Sequence, residues 1–243
     1  MYKILVDTHT HTCSSDHAFS TIYENICFAK KRGLEMVCMT DHAPAIPDAA
    51  HIWHFSTMKE LPREIEGVKL LCGVEANIIG VDGALDMTDD MLAGMDIVVA
   101  SIHTPCYAPR TVAEHTETWL NVIKNPFVTV LGHAGNPKYE FDIDKVVTEA
   151  KKYNKCFEIN NHSFGTRAGS EENCKKIALV CKKLGCKIVV SSDAHSCFAV
   201  GVFDNSLRIL EEVDFPEELI MNTTAEKFEN YLAELKAART EEN

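Results

Sequence analysis

The sequence predicts one α/β domain built from parallel strand–helix units. Short apolar runs rich in Val, Ile, Leu, Cys and Met recur along the chain, and helical apolar spacing follows most of them. Strands that are apolar along their whole length need both faces of their sheet covered, which flanking helices supply. The 243 residues suffice for one large domain, expected over residues 1–240.

The first strand is expected at residues 3–7, followed by a helix over 21–32 that Gly33 stops as a C-cap. Further strands are expected at 36–40, 69–75, 97–101, 127–131, 156–159 and 187–191. Helical periodicity fits 111–124, 142–153 and 171–184, the last ending at Leu184-Gly185. A closing amphipathic helix fits 224–238, with Glu241, Glu242 and Asn243 as a frayed tail. A closed barrel and an open doubly wound sheet fit this order equally. No glycine-rich dinucleotide or P-loop signature follows any strand. Internal repeats, low-complexity linkers and long charge runs are absent from the sequence.

Composition narrows the function classes. Hydrophobic residues at 46% and charged residues at 25% are ordinary for a folded soluble chain, which excludes wholesale disorder. The formal charge of −12 argues against general affinity for nucleic acid or anionic membrane, while leaving room for a local basic pocket. No apolar stretch approaches the ~20 residues of a spanning helix. The N-terminus lacks the long apolar region of a signal peptide, so a cytoplasmic protein is expected. The ten cysteines form no C-x-x-C pair, and Cys13, Cys27, Cys38, Cys72 and Cys156 lie in or beside apolar segments. They read as reduced thiols that pack as small hydrophobes.

The informative feature is where the histidines fall. The first strand runs into Asp7-Thr8-His9-Thr10-His11, with His17 beyond, and the second into Thr40-Asp41-His42. The third runs into Glu75, the fourth into His103, the fifth into His133, and the seventh into Asp193-Ala194-His195. In parallel α/β folds the C-terminal strand ends converge on one face, where active sites are built. His-x-His and Asp-x-His suit a strand end, because residues two apart face the same way. A lone strand-end histidine is ordinary surface polarity; six of seven strands ending in ligand types is not.

Nine candidate ligands follow: His9, His11, His17, His42, Glu75, His103, His133, Asp193 and His195. One zinc ion takes about four ligands, so nine suit three ions with a carboxylate, Glu75 or Asp193, bridging two. Imidazoles with a few carboxylates favour Zn, Mn or Fe over Ca or Mg. The absence of cysteine from the set favours a catalytic over a structural site.

His9-x-His11, Asp41-His42, the isolated His133 and Asp193-x-His195 resemble the four motifs of the PHP (polymerase and histidinol phosphatase) family. With Glu75, His17 and His103 added, the whole chain looks most like its YcdX-like phosphatase branch. The resemblance implies a distorted (β/α)7 TIM-like barrel, a trinuclear zinc site and phosphate ester hydrolysis. It assigns His9, His11, Glu75 and Asp193 to one metal, Glu75, His103 and His133 to a second, and His17, His42 and His195 to a third. It also implies a homo-oligomer, specifically a trimer.

Such clusters suit phosphate esters. Two ions about 3.5–4 Å apart can hold the attacking and leaving oxygens of an in-line displacement, and bound water is acidified toward a pKa near 7. A third ion offsets charge developing on the phosphoryl oxygens. Attack by a metal-bound hydroxide, without a covalent enzyme intermediate, is expected. Asp7 and Asp41, beside ligand histidines, are expected to orient imidazoles. The segment 160–170 is polar and leads into a helix, and the family's sixth-strand loop makes Arg167 a phosphate-binding residue. Ser170 is expected to offer a hydroxyl or an N-cap. His51-Ile52-Trp53-His54-Phe55 is expected as an aromatic lid, His162 as a substrate contact, and His115 as exposed or packed. The aliphatic positions of 171–184 read as core.

The substrate class expected is a small phosphomonoester. A phosphodiesterase or nuclease is the alternative within the same chemistry, although the acidic charge and lack of a basic aromatic face disfavour long nucleic acids. Histidinol phosphate is one candidate substrate that nothing in the sequence selects. A metal sensor or store is the non-enzyme alternative; it would need neither a phosphate-binding loop nor open coordination positions.

Overall fold

The computed structural model describes residues 2–241. In chain order the strands are β1 (Val6–Thr10), β2 (Met36–Met39), β3 (Glu64–Ile65), β4 (Val68–Asn77), β5 (Ile97–Ser101), β6 (Val130–Leu131), β7 (Cys156–Asn160) and β8 (Ile188–Ser191). The helices are α1 (Ile22–Lys31), α2 (Ile52–Thr57), α3 (Asp89–Ala93), α4 (Val112–Lys124), α5 (Ile143–Lys152), α6 (Ser163–Thr166), α7 (Ser170–Leu184), α8 (Asp204–Glu212) and α9 (Ala225–Glu241).

Seven strands pair in parallel in the order β1-β2-β4-β5-β6-β7-β8, and β3 adds a short antiparallel pairing to β4. The sheet curls until its edges nearly meet. At the C-terminal end, Thr10 bridges Ala194, and the His11 amide donates to the Ala194 carbonyl at 2.9 Å. Lower down, Asn222 spans the gap: its Nδ2 donates to the carbonyls of Val6 (2.8 Å) and Val190 (2.6 Å). The Val190 amide donates back to Asn222 Oδ1 at 3.0 Å. The open-sheet alternative is thereby removed, and the fold is a TIM-like α/β barrel.

Local chemistry accounts for the main helices. α1 and α4 begin with capping boxes, Thr21 with Glu24 and Thr111 with Glu114, which satisfy otherwise orphaned amides. Gly33 (φ 73°) and Gly185 (φ 71°) follow α1 and α7 in the left-handed conformation that only glycine adopts without strain. Boundaries differ from expectation in places. β1 is displaced toward the C-terminus, and β4 is longer than expected, so Glu75 lies inside it. α8 has no expected counterpart; its inward face is only Ser206, Ile209 and Leu210. Glu241 of the expected tail closes α9, while residues 242 and 243 lie outside the described residues.

Strand alternation sorts the core into two layers. Val37, Met39, Leu70, Val98, Phe157 and Val190 belong to the cluster that packs under the surrounding helices. Val6, Met36, Cys38, Ile97, Val99, Val130, Cys156 and Val189 form a second cluster with Phe228, Tyr231 and Leu235 of α9. The closing helix thus plugs the N-terminal end of the barrel. Its Tyr231 hydroxyl reaches the carbonyls of Thr129 (3.1 Å) and Asn154 (2.9 Å). All ten cysteines are free thiols, and most are buried. Among the described residues no helix is long and apolar enough to cross a membrane.

Candidate metal centre

The alternation that makes the apolar plug continues upward and changes chemistry. On β2 the inward positions run Met36, Cys38, then Thr40 and His42 beyond the strand; on β5 they run Ile97, Val99, Ser101, then His103. On β8 they run Val189, Ser191, then Asp193. All nine candidate ligands gather at this end. His9, His11, His42, Glu75, His133 and Asp193 are buried, and the exposed one is His17.

The contacts fall into three groups. His9 Nε2 lies 3.1 Å from His11 Nε2, with Asp193 Oδ1 at 3.1 Å from His11 and 3.6 Å from His9. His103 Nε2 lies 3.2 Å from His133 Nε2, with Glu75 Oε1 at 3.2 and 2.9 Å. His17 Nε2 lies 3.2 Å from His42 Nε2, and His195 stacks on His17 with 4.8 Å between ring centres. Glu75 joins the first two groups, since its other oxygen, Oε2, lies 3.3 Å from His9 and 3.5 Å from His11.

The donor set fits divalent transition metals. His11 Nδ1, His42 Nδ1 and Glu75 Oε2 are buried without a hydrogen-bond partner, although Oε2 and His42 Nδ1 are only 2.7 Å apart. Buried polar atoms are rarely left so. Ligand atoms around a tetrahedral zinc, at Zn–N ~2.0–2.1 Å, sit ~3.3 Å from one another, close to the three Nε2–Nε2 separations. Three overlapping triads, His11/His42/His195, His9/His11/Asp193 and His42/Glu75/His103, each bring three donor atoms within 4.8 Å.

Protonation already suits ligation at Glu75, Asp193, His11 and His133. Against the effect of burial, the nearby carboxylates, Glu75 foremost, raise both His9 and His42 and favour their protonated forms until an ion displaces the proton. Burial alone would push Glu75 and Asp193 up, but the surrounding histidines, His103 foremost for Glu75 and His9 for Asp193, hold both carboxyls well below their ordinary range. Burial, then the neighbouring His42, lowers His11 to about 3; burial, then Arg167, lowers His133 to about 4. Anionic carboxylates and neutral imidazoles are the metal-binding forms. For His9, burial is overridden by Glu75, Glu158 and Asp193, which raise it. Two of the nine residues also have left-handed backbones, His133 (φ 28°) and Asp193 (φ 50°). Such strain, about 1–3 kcal/mol each, persists only where the surroundings enforce it.

The enforcing residues are ones that motif spacing did not single out. Glu158 on β7 takes His9 Nδ1 at 2.7 Å through Oε1 and the His133 amide at 2.5 Å through Oε2. Asn160 donates to Asp193 Oδ2 at 3.0 Å. Asn77 Oδ1 sits 2.7 Å from His103 Nδ1, and Asp48 Oδ2 lies 2.6 Å from His17 Nδ1. Glu158-x-Asn160 inside an otherwise apolar strand repeats the same-face spacing of His9-x-His11. Asp48 lies in a loop and left no such signal.

Several expectations are corrected. Asp7 orients no imidazole: it accepts from the Ser192 amide (3.0 Å) and hydroxyl (2.5 Å) and from the Gly201 amide (2.8 Å), pinning the chain after β8. Asp41 binds Thr12, Ser15 and His54, none of them a candidate ligand. Ser170 is buried and donates its hydroxyl to the Arg167 carbonyl at 2.6 Å, and Gly169 occupies the cap. The 51–55 segment forms most of α2 with its cap, not a cleft wall: Phe55 is in the core, while Trp53 is 74% exposed. His115, by contrast, is packed, one of its two expected states, held by the Arg110 amide and the Glu140 carbonyl.

Five of the nine, His17, His42, His103, Asp193 and His195, line a cleft of about 830 Å³, and His9, His11, Glu75 and His133 lie buried outside its lining. Arg167 lines it, donating to Ser163 Oγ (3.0 Å) and lying 3.5 Å from Asp193 Oδ2. His162 lines it too, stacked on His195 with 5.2 Å between ring centres.

Residues 7–164 match the PHP domain family. The chain belongs to that family. Curated relatives agree along nearly the full length. A probable phosphatase of Acetivibrio thermocellus is 50% identical over 234 residues, covering 96% of this chain and 97% of that one. A probable phosphatase of Thermoanaerobacter sp. is 49% identical over 236 residues, covering 96% of each. Among solved structures, the histidinol phosphate phosphatase of Lactococcus lactis, complexed with zinc, L-histidinol and phosphate, superposes with a TM-score of 0.64 at 18% identity. It covers 87% of this chain and 94% of its own. A chain of archaeal ribonuclease P superposes with a TM-score of 0.61 at 12% identity, covering 96% of this chain and 91% of its own. At such identities these superpositions speak to the fold alone.

Proposed function

We propose that this PHP protein is a metal-dependent phosphatase that hydrolyses phosphomonoesters of small molecules with water activated at a three-metal site. The observation that carries the reading is the set of three Nε2–Nε2 pairs with Glu75 between two of them. His9, His11, Glu75 and Asp193 would hold one ion, Glu75, His103 and His133 a second, and His17, His42 and His195 a third. Zinc is the first choice, with Mn or Fe as substitutes. Bound ions would supply Lewis acidity toward the phosphoryl oxygens and acidify a water.

The chain's own residues would do the rest. Arg167, held at the cleft wall, would orient the phosphoryl group, and His162 would contact the substrate. Glu158 and Asn77 would fix the tautomers of His9 and His103 by holding their Nδ1 atoms. The phosphatase names of the half-identical relatives support this chemistry, as do the phosphate and zinc of the Lactococcus lactis protein. Residues 1–240 would act as one phosphoesterase domain. The free cysteines suit a reducing cytoplasm. A homo-oligomer, a trimer by family resemblance, belongs to the same reading.

Elemental analysis of protein purified without a chelating tag and reconstituted with zinc tests the site. About three equivalents per chain are expected, and fewer than two would sink the three-metal assignment. Arg167→Ala should lower kcat/KM about 10–100-fold with metal content intact. An unchanged kcat/KM would return Arg167 to a structural role.

A further inference from the structure

The cleft is several times larger than a phosphoryl group, so its walls must read the rest of the substrate. Those walls mix apolar groups, Ile46, Ile102 and Pro105 among them, with two cationic side chains, Arg167 and Lys138. Arg167 faces the candidate ligand Asp193. Lys138 is different. Its side chain is exposed, and among the described residues its ammonium makes no ion pair and donates no hydrogen bond; Lys59, Lys145 and Lys176 are likewise unpaired but do not line this cleft. In a chain of net charge −12, an unpaired cation at the wall of the candidate active site stands out.

Its backbone is fixed. Lys138 is the middle residue of a 3-10 turn, Pro137–Tyr139, five residues after His133. The Asn136 side chain accepts from the Lys138 amide at 3.1 Å. Tyr139 is buried, and its hydroxyl reaches the Tyr107 carbonyl (3.0 Å) and Thr104 Oγ1 (3.2 Å). Pro137 removes further backbone freedom. A lysine on a rigid base loses only side-chain entropy when it meets an anion.

We propose that Lys138 binds a second anionic group of the substrate. The preferred substrates are then phosphomonoesters that carry a carboxylate or a second phosphate on the same small body. This inference rests on the phosphatase reading and adds a specificity-determining residue to it.

The test compares substrates matched except for the second anion: 3-phosphoglycerate with glycerol 3-phosphate, and fructose 1,6-bisphosphate with fructose 6-phosphate. An aryl phosphate monoester reports the reaction itself. In at least one pair the doubly anionic member should have a kcat/KM about tenfold higher, mostly through KM, as one charge-assisted contact to an exposed lysine at the cleft wall supplies. Lys138→Met should bring that ratio close to one, and Lys138→Arg should keep it. Hydrolysis of the aryl phosphate with no preference in either pair overturns the role of Lys138, as does a preference that survives Lys138→Met. Failure of the metal-loaded protein to hydrolyse any of these monoesters overturns the phosphatase reading and this inference with it.

Discussion

The two ends of the barrel are built from the same strands and the same alternation, yet they do opposite things. At the N-terminal end the inward side chains are Val6, Met36, Ile97, Val130 and Val189, and α9 closes over them with Phe228, Tyr231 and Leu235. At the C-terminal end, a few residues further along the same face, the inward groups are His42, Glu75, His103 and Asp193, and the barrel opens into a cleft. One end buries apolar area, at roughly 25 cal/mol per Å², and specifies the fold. The other buries carboxylates and imidazoles, strains His133 and Asp193, and leaves polar atoms unpartnered. Stability and chemistry are thereby separated: the plug holds the strands in register, so the open end can tolerate a site that would be unfavourable on its own.

The comparison breaks most visibly at Glu75. Because Glu75 lies between two donor groups, Glu75→Gln should cost about a thousandfold or more in kcat and release bound metal. Melting should change far less than activity. Full activity with unchanged metal content would remove Glu75 from the centre of the account.

The closed end should respond in the opposite sense. Phe228→Ala empties a fully buried position and should destabilise the fold by about 3–5 kcal/mol in denaturant unfolding. Its kcat/KM, measured well below the melting temperature, should stay within about twofold of wild type. A large activity loss in folded protein would couple the two ends and contradict their separation.

Glu158 sits between them, on β7 above the apolar Cys156. Glu158→Gln should weaken metal affinity about 10–100-fold by loosening His9 and the His133 backbone, with activity recovering at saturating metal. Unchanged affinity in a metal-competition titration would mean that Glu158 is only structural.

The smallest expected effect concerns Asp7. Burial raises its carboxyl to about 6, against the opposing hydrogen bonds from Ser192 and Gly201. A carboxyl whose folded value exceeds its unfolded value, near 4, favours folding while protonated. That contribution is complete below about pH 4 and is lost as pH rises through 6. Asp7→Asn carries no charge, so its stability relative to wild type should improve between pH 4 and pH 7. A pH-independent difference would show that the hydrogen bonds, not burial, set the Asp7 carboxyl.

Much of this was legible in the sequence, because the strands are short and the period is two. His9-x-His11 and Asp193-x-His195 showed same-face pairs, and the apolar runs before them placed those pairs at strand ends. The expected positions of α1, α4, α5 and α7 agreed with the structure because their caps and apolar stripes are local signals. Closure of the sheet was not local: it depends on Asn222, over two hundred residues from Val6, reaching two carbonyls at once. The partners of the imidazoles were misassigned for the same reason. Asp7 and Asp41 are adjacent in sequence to the motifs but turn toward Ser192 and Thr12, whereas Glu158, remote in sequence, touches His9. The β1 register shifts between Asp7 and Thr10, and Asp41 lies beyond the end of β2, so strand alternation did not carry from these carboxylates to the ligands beside them.

Phosphate release from an aryl phosphate monoester tests the central claim most directly, measured on protein as purified, after chelation, and after zinc or manganese is restored. The account predicts activity that disappears on chelation and returns with metal, while the far-ultraviolet circular dichroism of the plugged barrel persists throughout. Undiminished activity in metal-free protein, or none in protein loaded with three equivalents of metal, would contradict it.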